Sequence, residues 1–136
     1  MPNLSERLSA ILGEILPVTE EDDGALTVKH DETFASLRVV AVAPELELVS
    51  LTQVLAWDLP LNTRTRAEVA KYTQETLLGT VSLVEKVGAA KGNSKKLGDV
   101  LLRYNFPAAG LSDDALRTLL LMVLATGSDV RRALVG

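Results

Sequence analysis

The 136-residue chain has no cysteine, one histidine, one tryptophan and only 4% aromatic residues. Without cysteine there are no disulfides, thiolate nucleophiles or cysteine-based zinc sites. That absence is compatible with the cytoplasm, the expected location. So few aromatics leave little material for a ligand site built on stacking. Positive charge is not in excess either: 14 Lys and Arg stand against 18 Asp and Glu, a net charge of −4. Non-specific nucleic-acid binding needs clustered cations to displace counterions, so nucleic acid is not an expected partner. No apolar run approaches the ~18 residues of a membrane span, and no membrane partner is expected. The opening MPNLSERLSAILGEIL lacks a basic region leading a continuous apolar core, and Glu6 and Glu14 interrupt it, so a signal peptide is not expected.

What the chain does have is apolar periodicity. At 47% hydrophobic and 24% charged it is the composition of a folded protein. Its length suits a single domain over residues 1–136. The clearest pattern lies in residues 99–134. Val100, Leu102, Tyr104 and Phe106 alternate with Leu101, Arg103 and Asn105, the period of a half-buried strand. Pro107 stops the ladder, and Ser112 with Asp113 and Asp114 opens a helix as N-cap and acidic first turn. Leu111 and Leu116 are placed as a hydrophobic staple. Leu116, Leu119, Leu120, Val123 and Leu124 form the helix's core face, flanked by Leu121 and Met122, and Gly127 is a candidate end or kink.

Earlier in the chain, Leu4, Leu8, Ile11, Leu12 and Ile15 share one helical face over residues 3–16, ended by Pro17. Residues 20–24 (EEDDG) form a polar break. They read as a solvated turn and lack the spacing of a calcium loop. Three strands follow, over residues 25–30, 34–43 and 45–57, with a change of register between Leu48 and Val49 that implies a bend. Short connections make an antiparallel meander the economical pairing. Thr63 or Thr65 is placed to cap a helix to about Leu78, and Gly79 ends it. Its face of Ala67, Ala70, Thr73 and Leu77, with Val69 alongside, is small and weakly apolar, which suits close approach to a sheet or to a copy of itself. A fourth strand spans residues 80–87. Residues 88–96 form a basic hairpin loop before the last strand. The expectation is therefore an α+β fold, a five-stranded antiparallel sheet with three helices in the order αβββαββα.

Reactive constellations are scarce. His30 beside Asp31 reads as a surface residue at a turn, and nothing in the sequence places a nucleophile near it. One histidine makes a metal site weak. Gly88-x-x-x-Gly92 lacks the GK[ST] ending of a phosphate cradle. Arg131 and Arg132 fit the dipole at the end of the last helix. Trp57 reads as a core aromatic closing the third strand, and Tyr104 and Phe106 as core. No catalytic residue, metal or cofactor is expected, and the chain is not expected to be an enzyme.

The order αβββαββα resembles type III secretion chaperones. More closely, the helix of residues 66–78, the strand beginning Gly79-Thr-Val-Ser-Leu-Val, and the run from Asp99-Val-Leu-Leu-Arg-Tyr to Gly110-Leu-Ser-Asp-Asp-Ala-Leu resemble the YbjN family of proposed bacterial sensory transduction regulators. The resemblance covers nearly the whole chain in topology and about half in residue pattern. It implies no catalytic motif. It implies a chaperone-like or regulatory protein-binding module, homodimeric, with an unidentified protein partner. On this reading Val69, Ala70, Thr73 and Leu77 form the dimer interface. Leu8, Ile11, Ile15, Leu121 and Met122 are the candidate partner surface. The alternative is a small enzyme or ligand-binding domain with a pocket between sheet and helices, using His30 or a site near Trp57.

Overall fold

The computed structural model describes residues 3–87 and 96–135, so the expected loop at 88–96 lies almost wholly outside the described residues. In chain order the elements are α1 (Leu4–Gly13), β1 (Val18–Glu20), β2 (Leu26–His30), β3 (Thr33–Ala43), β4 (Leu46–Pro60), α2 (Thr63–Glu75), β5 (Thr80–Val87), β6 (Lys96–Pro107) and α3 (Asp113–Val135). The strands form one sheet in the order β1-β2-β3-β4-β6-β5, and every neighbouring pair is antiparallel. The sheet thus has six strands, not five. The extra strand, β1, is three residues long, too short to carry a period, and is defined by its pairing of Val18 with Val28.

All three helices lie on one face. α3 crosses β2, β3 and β4; α1 packs on β1, β3 and α3; α2 packs on β5 and α3. Alternation along the strands builds the layer beneath them. Leu26 and Val28, then Ala35 and Leu37, then Val49, Leu51 and Leu55, then Val100, Leu102 and Phe106 are buried. Leu116, Leu120, Val123, Leu124 and Val130 of α3 close over them.

The helix ends are set by local hydrogen bonds. Asn3 Oδ1 accepts from Glu6 N at 2.8 Å, and α1 stops at Gly13, four residues before Pro17. Asn62, rather than Thr63 or Thr65, caps α2, accepting from Thr65 N at 2.8 Å. Ser112 Oγ accepts from Ala115 N at 3.1 Å as its position implied. Gly79 turns the chain into β5 with φ +81°, and a Cβ there would come within 2.9 Å of Arg103 O.

The bend in β4 falls later than expected. Its ladder to β6 shifts register between Val54 and Ala56 and again between Ala56 and Leu59, not at Leu48. Gly127 does not kink α3, which runs unbroken to Val135. Its missing side chain serves close packing instead: a Cβ would lie 2.0 Å from Gln53 Oε1. Gln53 is a buried polar residue in the inward register of β4. Its Nε2 donates to Thr33 Oγ1 at 2.8 Å and to Leu124 O at 3.1 Å, while Oε1 has no partner among the described residues.

Gly127→Ala is expected to lower stability by ~1–3 kcal/mol in urea unfolding, through overpacking. In a Gln53→Ala background the colliding atom is gone, and the same substitution is expected to cost markedly less. Equal penalties in both backgrounds rule out the collision.

Candidate functional site

Among the described residues the helices leave the other face of the sheet uncovered, and its pattern can be read row by row. One row runs across five strands through Lys29, Phe34, Val54, Leu101 and Ser82, each paired with the next. Phe34 is 53% exposed, while Val54 and Leu101 are half-buried. The next row toward the hairpin of β3 and β4 is polar: Thr27, Ser36, Thr52, Arg103 and Thr80. Beyond it lie Arg38, Ser50 and Asn105, then Val40, Leu48 and Pro107. An antiparallel sheet with one wet face ordinarily alternates apolar-in with polar-out. Like the row of Val40, Leu48 and Pro107, the row through Phe34, Val54 and Leu101 departs from that rule.

On the other side of that row, Val84 pairs with Asp99 and is largely exposed. Beside them the bulge in β4 displays Trp57, which is 63% exposed. The expected burial of Trp57 is therefore corrected: the extra residues of the bulge rotate it out of the inward register. Asp58, at φ 54°, sits in the left-handed region, and its N–H donates to Asp99 Oδ1 at 3.0 Å. Lys86 Nζ lies 2.9 Å from Asp99 Oδ1, also contacts Asp58 Oδ1, and stands 6.0 Å from the centre of the Trp57 ring. The carboxylates hold Lys86 above the usual lysine range, Asp58 first and Asp99 second. Partial burial pushes Asp99 up, but the Lys86 ammonium and the Asp58 N–H outweigh it and hold the carboxyl below its ordinary value. The cluster fixes the bulge and hence the direction of the tryptophan.

By sequence, no protein family and no curated protein matches the chain. By structure, YbjN from E. coli, a proposed transcription regulator, superposes with a TM-score of 0.58. The match covers 96% of this chain and 89% of that one, at 16% sequence identity. The chain has the YbjN fold. At that identity the likeness speaks for the fold alone.

Within this YbjN-like fold, His30 is not an isolated surface residue. Its Nδ1 lies 2.6 Å from Ser128 Oγ and 3.9 Å from Asp31 Oδ2. A serine, a histidine and an aspartate thus come together, but not as a relay. A catalytic histidine faces its nucleophile with one ring nitrogen and its carboxylate with the other. Here the same nitrogen faces both. Ser128 is 1% exposed on the inner side of α3. Among the described residues, five surface grooves of 340 to 450 Å³ are lined by neither His30, Ser128 nor Trp57. The group continues into structural bonds: Thr33 Oγ1 donates to His30 O at 2.7 Å, and Arg132 Nη1 donates to Asp31 Oδ2 at 3.0 Å. Among the described residues no cluster of His, Asp and Glu could hold a metal ion, and no helix is long and apolar enough to cross a membrane.

The residues expected to bind partners are scattered by the YbjN fold. Leu8 and Ile11 are core, because that face of α1 packs inward on α3 and the sheet; Ile15 is half-buried against the same core. Leu121 is half-buried and Met122 exposed on the outside of α3. On α2, Val69 is buried while Ala70 and Thr73 are exposed; α2 ends at Glu75, not near Leu78, so Leu77 lies beyond the helix, exposed in the connection to β5. Thr73 Oγ1 lies 2.6 Å from Val81 O and 2.9 Å from Val69 O, so its proton is directed inward. The open-face set of Phe34, Val54, Leu101, Val84 and Trp57 was missed. The pattern of Ala35 and Leu37 inward with Phe34 outward was available, but the apolar run masked it.

A carboxyl whose folded pKa is depressed contributes stability that is full above its unfolded pKa and is lost as pH falls through the folded value. Asp99 is such a group. Thermal unfolding from neutral pH down to about pH 2 is expected to show a smaller acid-induced drop in Tm for Asp99→Asn than for the parent chain. Parallel curves rule out a stabilising role for the Lys86–Asp99 contact.

Proposed function

We propose that the chain is a non-enzymatic protein-interaction module, regulatory or chaperone-like, that engages protein on the uncovered face of its sheet. The observation that carries this reading is the apolar row Phe34–Val54–Leu101 with Val84 and Trp57 beside it, contiguous and outside the core. Contiguous exposed apolar surface on a folded protein marks an interaction site more often than scattered single residues do. Fully burying Trp57, Phe34 and Leu101 at a contact is worth ~1.5–3 kcal/mol each. That surplus offsets a large part of the ~4–15 kcal/mol association cost. The E. coli protein of the same fold, a proposed regulator, is compatible with such a role.

The arrangement of His30, Ser128 and Asp31 supports a structural role better than a hydrolytic one, since it offers neither an exposed nucleophile nor a substrate cavity. The exposed Ala70 and Thr73 of α2, with Leu77 just beyond its end, are a second candidate for self-association. They offer little apolar area beyond Leu77.

Photocrosslinking in cells tests the proposal. A photoreactive residue replacing Trp57 or Phe34 is expected to yield covalent protein adducts. One replacing Thr118, exposed on α3 on the helical side, is expected to yield none. No adduct from either sheet position overturns the open-face reading.

A further inference from the structure

We infer that the open sheet face takes an acidic amphipathic helix of another protein, laid along β4 between two apolar patches. This rests on the interaction-module reading and adds the chemistry of the partner. Two apolar rows lie on the face: Val40, Leu48 and Pro107 toward the hairpin of β3 and β4, and Phe34, Val54 and Leu101 further along the sheet. Two polar rows separate them, Arg38, Ser50 and Asn105, then Thr27, Ser36, Thr52, Arg103 and Thr80. With Lys29 and Ser82 at the ends of the second apolar row, these four rows carry three cations, Lys29, Arg38 and Arg103, and no carboxylate. The chain as a whole has a net charge of −4, so this face has the opposite sign from the molecule. Asp23 takes up Arg38 at 2.6 Å. Arg103 and Lys29 are exposed and have no carboxylate partner among the described residues. An unpaired arginine between two apolar patches is complementary to a carboxylate from outside, and arginine is enriched among the residues that dominate contacts.

The backbone decides between a helix and an extended segment. From Leu48 to Val54, β4 is paired on both sides, with β3 and with β6, so face-on it offers a partner no free N–H or C=O group. An extended segment laid there would leave its own backbone groups without ladder partners, whereas a helix satisfies them internally. The other face of the same sheet already holds α3 in this way. The two apolar rows are six positions apart on β4, Leu48 to Val54. At ~3.4 Å per residue that is ~20 Å, which a helix spans in ~13 residues. The fitting partner therefore carries apolar residues toward the two ends of one helical stripe and Asp or Glu between them, where Arg103 stands. Trp57 and Val84, exposed beside the second apolar row, extend the contact at that end.

Display selection of random peptides of about 18 residues, the span plus a turn at either end, on the purified chain tests this. Each pool is first depleted on a Leu101→Arg variant, so that the survivors depend on the open face. The enriched peptides are expected to be net negative, with Asp or Glu between apolar residues at helical spacing. Synthesised singly, they are expected to gain helicity on binding and to change the fluorescence of Trp57, the one tryptophan of the chain. Arg103→Glu is expected to weaken them by about 10-fold or more, Lys29→Glu by less, and Thr118→Glu not at all. Circular dichroism confirms that each variant is folded. Enriched peptides that are basic or uncharged, or that alternate with the period of a strand, overturn the inference. So does binding indifferent to Arg103→Glu, or the absence of any peptide that tells the parent chain from Leu101→Arg. If Trp57 or Phe34 photocrosslinks in cells to a second copy of this chain, or to a partner segment that is not an acidic helix, the acidic helix falls and the interaction module stands. If neither position yields an adduct, both fall.

Discussion

The packing of α3 across the middle of the sheet is the contact on which the rest of the molecule depends. A sheet of six strands is stable only when one face is covered, and here one long helix does most of the covering. It can do so because its inward stripe is apolar except at Ser128 and because Gly127 lets it come close to β4 at Gln53. The two ends are then tied down by polar bonds. Arg7 of α1 reaches Asp113 at 2.8 Å and Ala109 O at 3.3 Å, and Arg131 donates to Leu55 O at 2.7 Å. With α3 fixed, α1 and α2 have surfaces to pack against on either side.

Covering one face by helices leaves the other to water, and the chemistry of that face becomes the question of function. Most of it is what a solvated sheet carries: threonine, serine, asparagine and charge. The exceptions are the row through Phe34, Val54 and Leu101 with the neighbouring bulge, and the row of Val40, Leu48 and Pro107 near the hairpin of β3 and β4. The bulge matters because a regular strand presents alternate residues inward, and the register shift between Val54 and Ala56 puts Leu55 and Ala56 both inward, which turns Trp57 out. Lys86, Asp58 and Asp99 then hold the tryptophan's surroundings in place. A rigid, exposed aromatic on a strand costs little entropy to bind, which is the property of an interface anchor.

The polar seam on the other side has a different logic. Gln53, Thr33, His30 and Ser128 lie between β4, the turn joining β2 to β3, and the second half of α3. Their bonds are directional, so they fix how α3 is rotated and translated on the sheet where apolar contacts alone tolerate sliding. Serine, histidine and aspartate near one another are not a catalytic unit unless the geometry of the ring nitrogens and access to the hydroxyl agree. Here both requirements fail, and the same groups read as structural bonds.

Element type and order were legible from sequence because they rest on local rules. The period-two alternation of Val100 to Phe106, the cap at Ser112 and the 3.6-residue spacing of Leu4, Leu8 and Ile11 each depend on neighbours in the chain. The α+β class and the YbjN-like order followed from them. What the sequence could not supply was anything set by distant partners. β1 exists only because β2 offers it an edge. The inward place of Gln53 and the need for Gly127 are two halves of one contact 74 residues apart in number. Leu8 and Ile11 looked available because a helical stripe does not say what covers it, and Trp57 looked buried because a bulge does not announce which way it turns the chain. Local periodicity determined which elements this protein has; the register of β4 against β6, and the choice of the face that α3 covers, were decided only in the tertiary structure, since both minimise a burial energy that no single segment contains.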